Sequence, residues 1–167
     1  AFDDITGFSR DIVQLFSRYP DGTVEFRTKS TNVGNLVSAE AVPQNVIPSW
    51  TISPDYVAER LEHKTPPPGE RLKAAKRCQD AGYTVGVRLD PVFSYEGWEK
   101  DYRDMVDSIL SYLDPSSIDY ITLGSVKLHK NLMDAVGRRF PDSMVILGET
   151  VPGRDGKYRP VKFDRVD

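Results

Sequence analysis

Residues 70–89 have the sequence ERLKAAKRCQDAGYTVGVRL, in which a helical pattern passes directly into a strand pattern. Apolar residues recur at helical spacing over 70–81, and Gly82 stands where a left-handed glycine would end that helix. Residues 84–89 then alternate, with apolar side chains on one side of the predicted strand. A helix joined to a strand by so short a turn is typical of a βαβ unit.

The same order of elements extends in both directions along the chain. Further strands are predicted at 23–28, 46–52, 118–123 and 144–147, and further helices at 5–16, 98–113 and 128–140. Ser53, Pro54 and Asp55 mark one more helix start, with the Ser53 hydroxyl as the predicted N-cap. This alternation predicts an α/β fold with right-handed βαβ units and a parallel sheet.

Two architectures fit this order, an open doubly wound sheet or part of a (β/α) barrel. A complete eight-unit barrel requires roughly 250 residues, so a chain of 167 residues would supply only part of one. One side of each of the first four predicted strands is polar, which favours a wide, partly open barrel, because a sheet covered by helices on both faces has almost continuously apolar strands. The polar residues predicted to face the interior are Glu25, Arg27, Lys29, Ser49, Thr51, Arg88, Asp90, Tyr120 and Thr122. The alternative interpretation is a set of internal salt bridges among Glu25, Arg27, Arg88 and Asp90.

Composition limits the classes of function. The chain has 22 Lys and Arg against 25 Asp and Glu, a net charge of −3, which argues against binding nucleic acid as a bulk polycation. Its single cysteine excludes an intramolecular disulfide and cannot by itself hold a structural zinc or an iron–sulfur cluster. Without a membrane-spanning apolar run or a signal-peptide pattern, the expected compartment is the cytoplasm, with no membrane partner.

Familiar catalytic motifs do not occur in the sequence, which has no GxGxxG, Walker A, HExxH, CxxC or GxSxG pattern. His63 and His129 both lie beside lysines in polar segments, so they are predicted to be on the surface. Cys78 follows the apolar side of its helix and is predicted to be a core residue rather than a reactive thiol. No metal ligands are predicted on this chain.

The ends of the predicted strands are the places where a parallel α/β fold builds its active site. Lys29 suits a carboxylate or a phosphate, and the Thr51 and Ser53 hydroxyls offer hydrogen bonds. The alternative for Lys29 is a solvated strand end. The residues predicted at this edge of the sheet are Lys29, Ser30, Thr51 to Ser53, Asp90, Pro91, Ser125 to Lys127 and Glu149.

A β-hairpin is predicted at 151–159, around an Asp-Gly turn at 155–156. It carries Arg154, Lys157, Tyr158 and Arg159, so an aromatic ring can stack on an unpaired base while cations meet phosphates. The alternative is an ordinary solvated hairpin. The chain therefore divides into a partial barrel at 1–150 and a C-terminal extension at 151–167.

Several uncommon elements in the same order and spacing resemble the radical SAM enzymes of the spore photoproduct lyase family. They are FRTKS at 26–30, Glu62 and Thr65 ahead of Arg71, AGY at 81–83 with Gly86, Pro91, and EGWE at 96–99 with Tyr102. The resemblance covers most of the chain and is strongest over 24–102.

The resemblance implies a partial (β/α)6 barrel in which a [4Fe–4S] cluster cleaves S-adenosylmethionine (SAM) to a 5′-deoxyadenosyl radical. In the family's lyase, that radical abstracts hydrogen from a thymine dimer in DNA and reverses the crosslink. The C-x3-C-x2-C loop that binds the cluster in the family is not in this sequence. The chain is therefore expected to be inactive alone, with an N-terminal half supplying the cysteine loop and both SAM and the cluster present in the intact protein.

Site residues follow from the resemblance position by position. Lys29 matches the lysine that contacts the SAM carboxylate, and Thr51 replaces a serine that also touches SAM. Ser53 and Asp90 complete the predicted cofactor site, although Asp90 stands where the lyase has a small apolar residue. The residues predicted to bind the DNA substrate are Arg88, Lys127, Arg154, Lys157, Tyr158 and Arg159. The alternatives are another radical SAM reaction on this scaffold, or a non-catalytic half-barrel that acts as a binding module.

Overall fold

Four parallel strands form the central sheet of the computed structural model, which describes residues 2–143, 150–153 and 156–160. They are β1 (Val24–Thr28), β2 (Val46–Thr51), β3 (Val85–Val92) and β4 (Ile118–Ser125), and they lie side by side in that order. Every neighbouring pair is parallel, which confirms the predicted α/β class. The strand predicted at 144–147 lies outside the described residues.

Helices connect the strands, as the alternating pattern predicted, except that the short helix at 34–37 between β1 and β2 was not predicted. They are α1 (Asp3–Thr6), α2 (Phe8–Phe16), α3 (Gly34–Val37), α4 (Asp55–Leu61), α5 (Pro68–Asp80), α6 (Trp98–Tyr112) and α7 (Lys130–Arg139). A 3-10 turn at Pro115–Ser117 precedes β4. No helix in the described part of the chain is long and apolar enough to cross a membrane.

The core lies between one face of the sheet and the helices. Trp50, Val85 and Val87 are almost completely buried on that face, and Cys78 on α5 packs among them. Burial raises the pKa of the Cys78 thiol to about 12, so the thiol is protonated at neutral pH. These contacts confirm Cys78 as a core residue and confirm which side of β2 and β3 faces the helices.

The predicted helix at 5–16 is two helices in the structure. Gly7 has φ +64° and ends α1 in a left-handed cap before α2 begins at Phe8. Glycine adopts this conformation without a steric cost, so one helix can end here and another can begin. The apolar spacing runs through Gly7 unchanged and therefore does not reveal the break. Ile5 and Phe8, two apolar residues of the predicted helix, are exposed, whereas Val13 reaches the core.

The predicted N-cap at Ser53 is wrong. Helix α4 begins at Asp55, and the Ser53 hydroxyl does not cap it. Ser53 is buried and donates its hydrogen bond to Glu62 Oε1, 2.8 Å away. A capping hydroxyl accepts from a backbone N–H, whereas Ser53 donates to an ionised, buried carboxylate, and this charge-assisted tertiary contact replaces the local one.

The predicted C-terminal hairpin is confirmed by the antiparallel pairing of β5 (Thr150–Pro152) with β6 (Tyr158–Pro160). The backbone of Tyr158 also makes two hydrogen bonds to Leu128, of 2.7 and 3.0 Å, so the hairpin is attached to the segment that follows β4. Arg154 lies outside the described residues, as does the side chain of Arg159. The division of the chain at residue 150 stays a prediction.

The close approach of β3 and β4 generates a first prediction, for Gly86→Ala. A Cβ at Gly86 would overlap the ring of Tyr120 and come within 2.9 Å of Ser49 Cβ. We expect the substitution to lower the free energy of unfolding by about 1–3 kcal/mol, measured by urea denaturation. Gly69→Ala on α5 is the control, because a Cβ there meets nothing within 4 Å. Equal stability of the two variants would contradict this account of Gly86.

Candidate functional site

The carboxylate of Glu62 receives side chains from the ends of two neighbouring strands. Lys29 Nζ, just beyond β1, lies 2.8 Å from Glu62 Oε1. Ser53, just beyond β2, donates to the same oxygen. Arg71 Nη2, on α5, lies 2.5 Å from the other oxygen, Oε2. Two of the predicted cofactor-binding residues, Lys29 and Ser53, are thus brought together by a third residue.

Arg71 fixes this cluster from below the surface of the protein. Its side chain is fully buried and donates to Pro66 O at 2.8 Å, Thr51 O at 3.1 Å and Thr65 Oγ1 at 2.7 Å. The guanidinium group therefore joins the end of β2 to the segment between α4 and α5. These acceptors replace the water molecules that the guanidinium group loses on burial.

The charges of the cluster favour an anionic ligand. Burial opposes ionisation of Glu62, but the hydrogen bonds from Lys29, Ser53 and Arg71 outweigh it and lower the pKa of the carboxyl. Glu62 is therefore an anion at neutral pH, and with two cations beside it the cluster carries a net charge of +1. The Lys29 side chain is 35% exposed, so this positive charge is accessible to solvent.

Thr51 connects the Glu62 cluster to the rest of the polar face. It follows the last register pair of β1 and β2, Thr28 with Trp50, and so lies level with Lys29. On its other side Thr51 pairs in register with Arg88 of β3. Thr51 is half-buried, and its carbonyl accepts from Arg71.

A second polar cluster surrounds Glu25 on the same face of the sheet. Its carboxylate accepts from Arg27 at 2.7 Å, from Ser49 at 2.8 Å and from Arg88 at 3.3 Å, and the Tyr120 hydroxyl also donates to it. These contacts connect β1, β2, β3 and β4. Part of the set predicted for a common interior meets here, and the charged members Glu25, Arg27 and Arg88 meet as the internal salt bridges of the alternative interpretation.

Arg88 and Asp90 belong to this wall of polar groups. Arg88 is 15% exposed and lies between Glu25 and Asp90, whose Oδ2 is 3.6 Å from Arg88 Nη2. Asp90 also lies against Gly124, where a Cβ would come within 2.8 Å of its carboxylate. The charge of Arg88 is therefore partly neutralised by two carboxylates. Roles of Arg88 and Asp90 toward a ligand stay predictions.

The described fold brings Lys127 and the hairpin together. Lys127 is exposed and precedes Leu128, whose backbone is bonded to that of Tyr158. Lys157 precedes Tyr158 in β6, so the two lysines flank one short bridge. This backbone bridge brings Lys127 and the Lys157–Tyr158 segment close together in the fold, near the end of β4.

The described residues do not form a metal centre. They contain no group of three or more His, Cys, Asp or Glu side chains that could hold a metal ion. His63 and His129 are exposed, as predicted. The one cysteine of the chain, Cys78, is buried and protonated. An iron–sulfur cluster therefore does not fit the residues of this chain.

These features define a parallel α/β protein whose sheet has one polar face and a cationic cluster at its strand ends. The chain belongs to the spore photoproduct lyase family, because the model of that family, described as Spore photoproduct lyase, matches residues 1–165. This confirms the resemblance drawn from the sequence motifs.

Curated relatives of the chain are spore photoproduct lyases. The lyase of Bacillus subtilis strain 168 is 29% identical over 109 residues, which cover 65% of this chain and 32% of that protein. The lyase of Geobacillus sp. strain Y412MC61 is 22% identical over 152 residues, covering 90% of this chain and 44% of that protein. The chain thus spans less than half the length of these two relatives.

Solved structures of spore photoproduct lyase have the same fold. A variant with bound AdoMet and dinucleoside spore photoproduct superposes with a TM-score of 0.81 at 23% identity, covering 97% of this chain and 50% of that one. Another variant gives a TM-score of 0.83 over the same shares. The α/β fold of this chain therefore matches half of each structure.

Sequence reasoning noticed Glu62 and Arg71 but assigned them no role. One signal was available, because Arg71 lies on the same side of α5 as Ala75 and Cys78, at the spacing of a buried stripe. A charged residue on such a stripe requires an internal partner. That partner, Glu62, lies close to Arg71 in the chain. The further contact of Glu62 with Lys29 was not predictable, since it joins residues far apart in the chain.

The Glu25 cluster generates a prediction for stability against pH. Burial opposes the charge of Glu25, but hydrogen bonds from Tyr120, Ser49 and Arg27 lower its pKa from 4.5 to about 2. A carboxyl with a lowered folded-state pKa contributes stability above its ordinary pKa, and this stability is lost as the pH falls toward 2. The free energy of unfolding of the parent protein falls between pH 6 and pH 2, and Glu25 accounts for part of that fall. We expect the fall to be smaller in Glu25→Gln by up to about 3 kcal/mol.

Urea denaturation at a series of pH values measures this difference. Glu40→Gln is the matched control, because Glu40 is exposed and its loss removes the same charge. An acid-induced loss of stability as steep in Glu25→Gln as in the Glu40→Gln control would contradict the assignment.

Proposed function

We propose that this chain is the SAM-binding and DNA-binding part of an enzyme of the spore photoproduct lyase type, which repairs thymine dimers by radical chemistry when intact. The observation that carries the proposal is the cluster of Lys29, Glu62 and Arg71 at the ends of β1 and β2. It offers an accessible ammonium group where a parallel α/β fold binds its ligands.

The residues of the cluster fit SAM. The amino-acid end of SAM carries a carboxylate, and Lys29 is the exposed cation of a cluster with a net positive charge. Thr51 lies level with Lys29 on the neighbouring strand and offers a hydroxyl group. A solved relative contains bound AdoMet, which supports the assignment of this ligand.

The iron–sulfur chemistry of the family requires ligands from outside this chain. The sequence holds one cysteine, and that cysteine is buried on the helix side of the sheet. In this proposal another part of the intact protein supplies the cluster, and the chain alone is inactive. The contribution of this chain is to bind and orient SAM and the damaged DNA.

The DNA substrate is assigned to the surface made by Lys127 and the hairpin. The backbone bridge between Leu128 and Tyr158 brings the segment with Lys157 and Tyr158 close to Lys127. Cations next to an aromatic ring suit a damaged site, where bases are less well stacked and phosphates remain charged. A relative solved with dinucleoside spore photoproduct supports a lesion as the substrate class.

The second candidate is a binding module without catalysis, which the single cysteine favours. Iron and sulfide content of the gene product that carries this chain, after anaerobic reconstitution, separates the two. About four irons per protein, as a [4Fe–4S] cluster requires, supports the enzyme. An iron-free product with unchanged ligand binding supports the module.

The role of Lys29 is tested with two forms of one ligand. In the full-length gene product, we expect Lys29→Ala to weaken SAM binding by about tenfold or more, because a charged hydrogen bond is lost. Decarboxylated SAM lacks the carboxylate, so its affinity should change less than twofold. Isothermal titration calorimetry measures both dissociation constants.

Lys100→Ala is the matched control for this experiment, because Lys100 is 78% exposed on α6 and its loss removes the same charge. Lys29→Ala with the affinities of the control for both ligands would remove Lys29 from the site. A gene product that binds neither ligand would contradict the SAM-binding proposal as a whole.

The hairpin is tested by the salt dependence of DNA binding. Replacing Arg154, Lys157 and Arg159 by alanine should lower affinity for a duplex carrying one spore photoproduct. The slope of log K against log salt should become less negative by roughly 2–3 if each cation neutralises one phosphate. Fluorescence anisotropy between 50 and about 200 mM salt measures this slope.

The control replaces three cations of α5 and α6, Lys73, Lys76 and Lys100, which changes the net charge equally. If both triple variants bind DNA with the same slope, the effect is one of net charge and the hairpin has no specific role.

A further inference from the structure

The two carboxylate oxygens of Glu62 contact different groups. Oε1 receives the Lys29 ammonium at 2.8 Å and the Ser53 hydroxyl at 2.8 Å, whereas Oε2 faces Arg71 at 2.5 Å. The side chain is 7% exposed, so nearly all of it is inside the protein. A buried carboxylate thus separates a buried cation from a partly exposed one.

The side of the cluster that contains Arg71 is rigid. The guanidinium group is 0% exposed and, besides its ion pair with Glu62, donates to Pro66, Thr51 and Thr65. The Thr65 hydroxyl in turn donates to Glu62 O at 2.7 Å, which ties the end of α4 to the same group. Glu62 is therefore an anchored carboxylate rather than one that rotates freely toward solvent.

The side of the cluster that contains Lys29 is open. Lys29 follows β1 and is 35% exposed, and a long lysine side chain without a partner loses considerable rotamer freedom when a ligand orders it. Contact with Glu62 orders the ammonium group in advance. An ammonium group has three N–H bonds, so one can stay hydrogen-bonded to Glu62 while another donates a hydrogen bond to a ligand.

We propose that Glu62 is a positioning residue for the ligand carboxylate, which it serves by holding Lys29 and Ser53 at the ends of β1 and β2. The inference rests on the proposed function, since the ligand is the carboxylate of SAM. Glu62 also keeps the cluster at a net charge of +1 instead of +2, which allows Arg71 to remain buried. It acts through Lys29 and does not touch the ligand itself.

The opposite role for Glu62 would be competition with the ligand. A carboxylate that had to leave Lys29 before SAM could bind would weaken affinity, and its removal would strengthen it. Positioning and competition therefore predict changes of opposite sign in the dissociation constant.

Two variants of the full-length gene product test the inference. Glu62→Asp keeps the negative charge beside Arg71 but is one methylene shorter, so it cannot reach both Arg71 and Lys29. Glu62→Gln keeps the length and removes the charge. We expect SAM to bind about five- to tenfold more weakly to Glu62→Asp, with decarboxylated SAM changed less than twofold. Glu59→Asp and Glu59→Gln, on the exposed side of α4, are the matched controls.

Thermal unfolding accompanies each titration, because Glu62→Gln leaves Arg71 buried beside a neutral group and this variant is expected to lose stability. Glu62→Asp, which retains that ion pair, decides the question if Glu62→Gln does not fold. A purely structural role would weaken both ligands alike, whereas positioning weakens only the ligand that has a carboxylate.

A measurement on the parent protein needs no variant at Glu62. The Lys29 ammonium resonance, assigned by its loss in Lys29→Ala, should be visible by ¹⁵N NMR before SAM is added and should shift on addition. Visibility before SAM shows that the ammonium is held in advance.

The outcomes separate this inference from the function on which it rests. A gene product that does not bind SAM contradicts both. Weaker binding in Lys29→Ala with unchanged or tighter binding in folded Glu62→Asp overturns the role of Glu62 alone. A Lys29 ammonium resonance that emerges only after SAM binds overturns it as well.

Discussion

The buried ion pair between Glu62 and Arg71 is the interaction on which the candidate site depends. Removing two charges from water is costly, and a pair of this kind is stable only when further hydrogen bonds satisfy both partners. Here Arg71 donates to three other oxygens and Glu62 accepts from Lys29 and Ser53. The pair therefore also holds the polar side chains that follow β1 and β2, those of Lys29 and Ser53.

On the polar face of the sheet, a second carboxylate is stabilised by several hydrogen-bond donors. Glu25 accepts from side chains of four strands, so the face that does not pack under the helices is held together by hydrogen bonds and charge. These hydrogen bonds compensate the polar groups of this face for burial, while the opposite face of β2 and β3 forms an apolar core. A protein built this way can hold a polar ligand against its sheet without disturbing its packing, which suits the SAM site proposed for the strand ends.

Much of the fold follows from local pattern in the sequence. Alternation over 84–89 and helical spacing over 70–81 are set by backbone geometry. The parallel sheet follows because each helix returns the chain to the same end of the sheet, so the next strand runs in the same direction. Gly7 and Ser53 show where this reasoning ends. Gly7 divides the single helix that the apolar spacing predicted. The Ser53 hydroxyl, which was expected to cap α4, donates instead to the Glu62 carboxylate.

The sequence by itself determined the α/β class, the family, the core position of Cys78 and the candidacy of Lys29 as a strand-end cation. Only the tertiary structure decided which residues surround Lys29. Glu62 and Arg71 are separated from it by 33 and 42 positions in the chain. Their contact depends on how β1, β2, α4 and α5 pack together. Spacing along a chain reports the geometry of single elements, whereas a buried charge finds its partner through the packing of several elements.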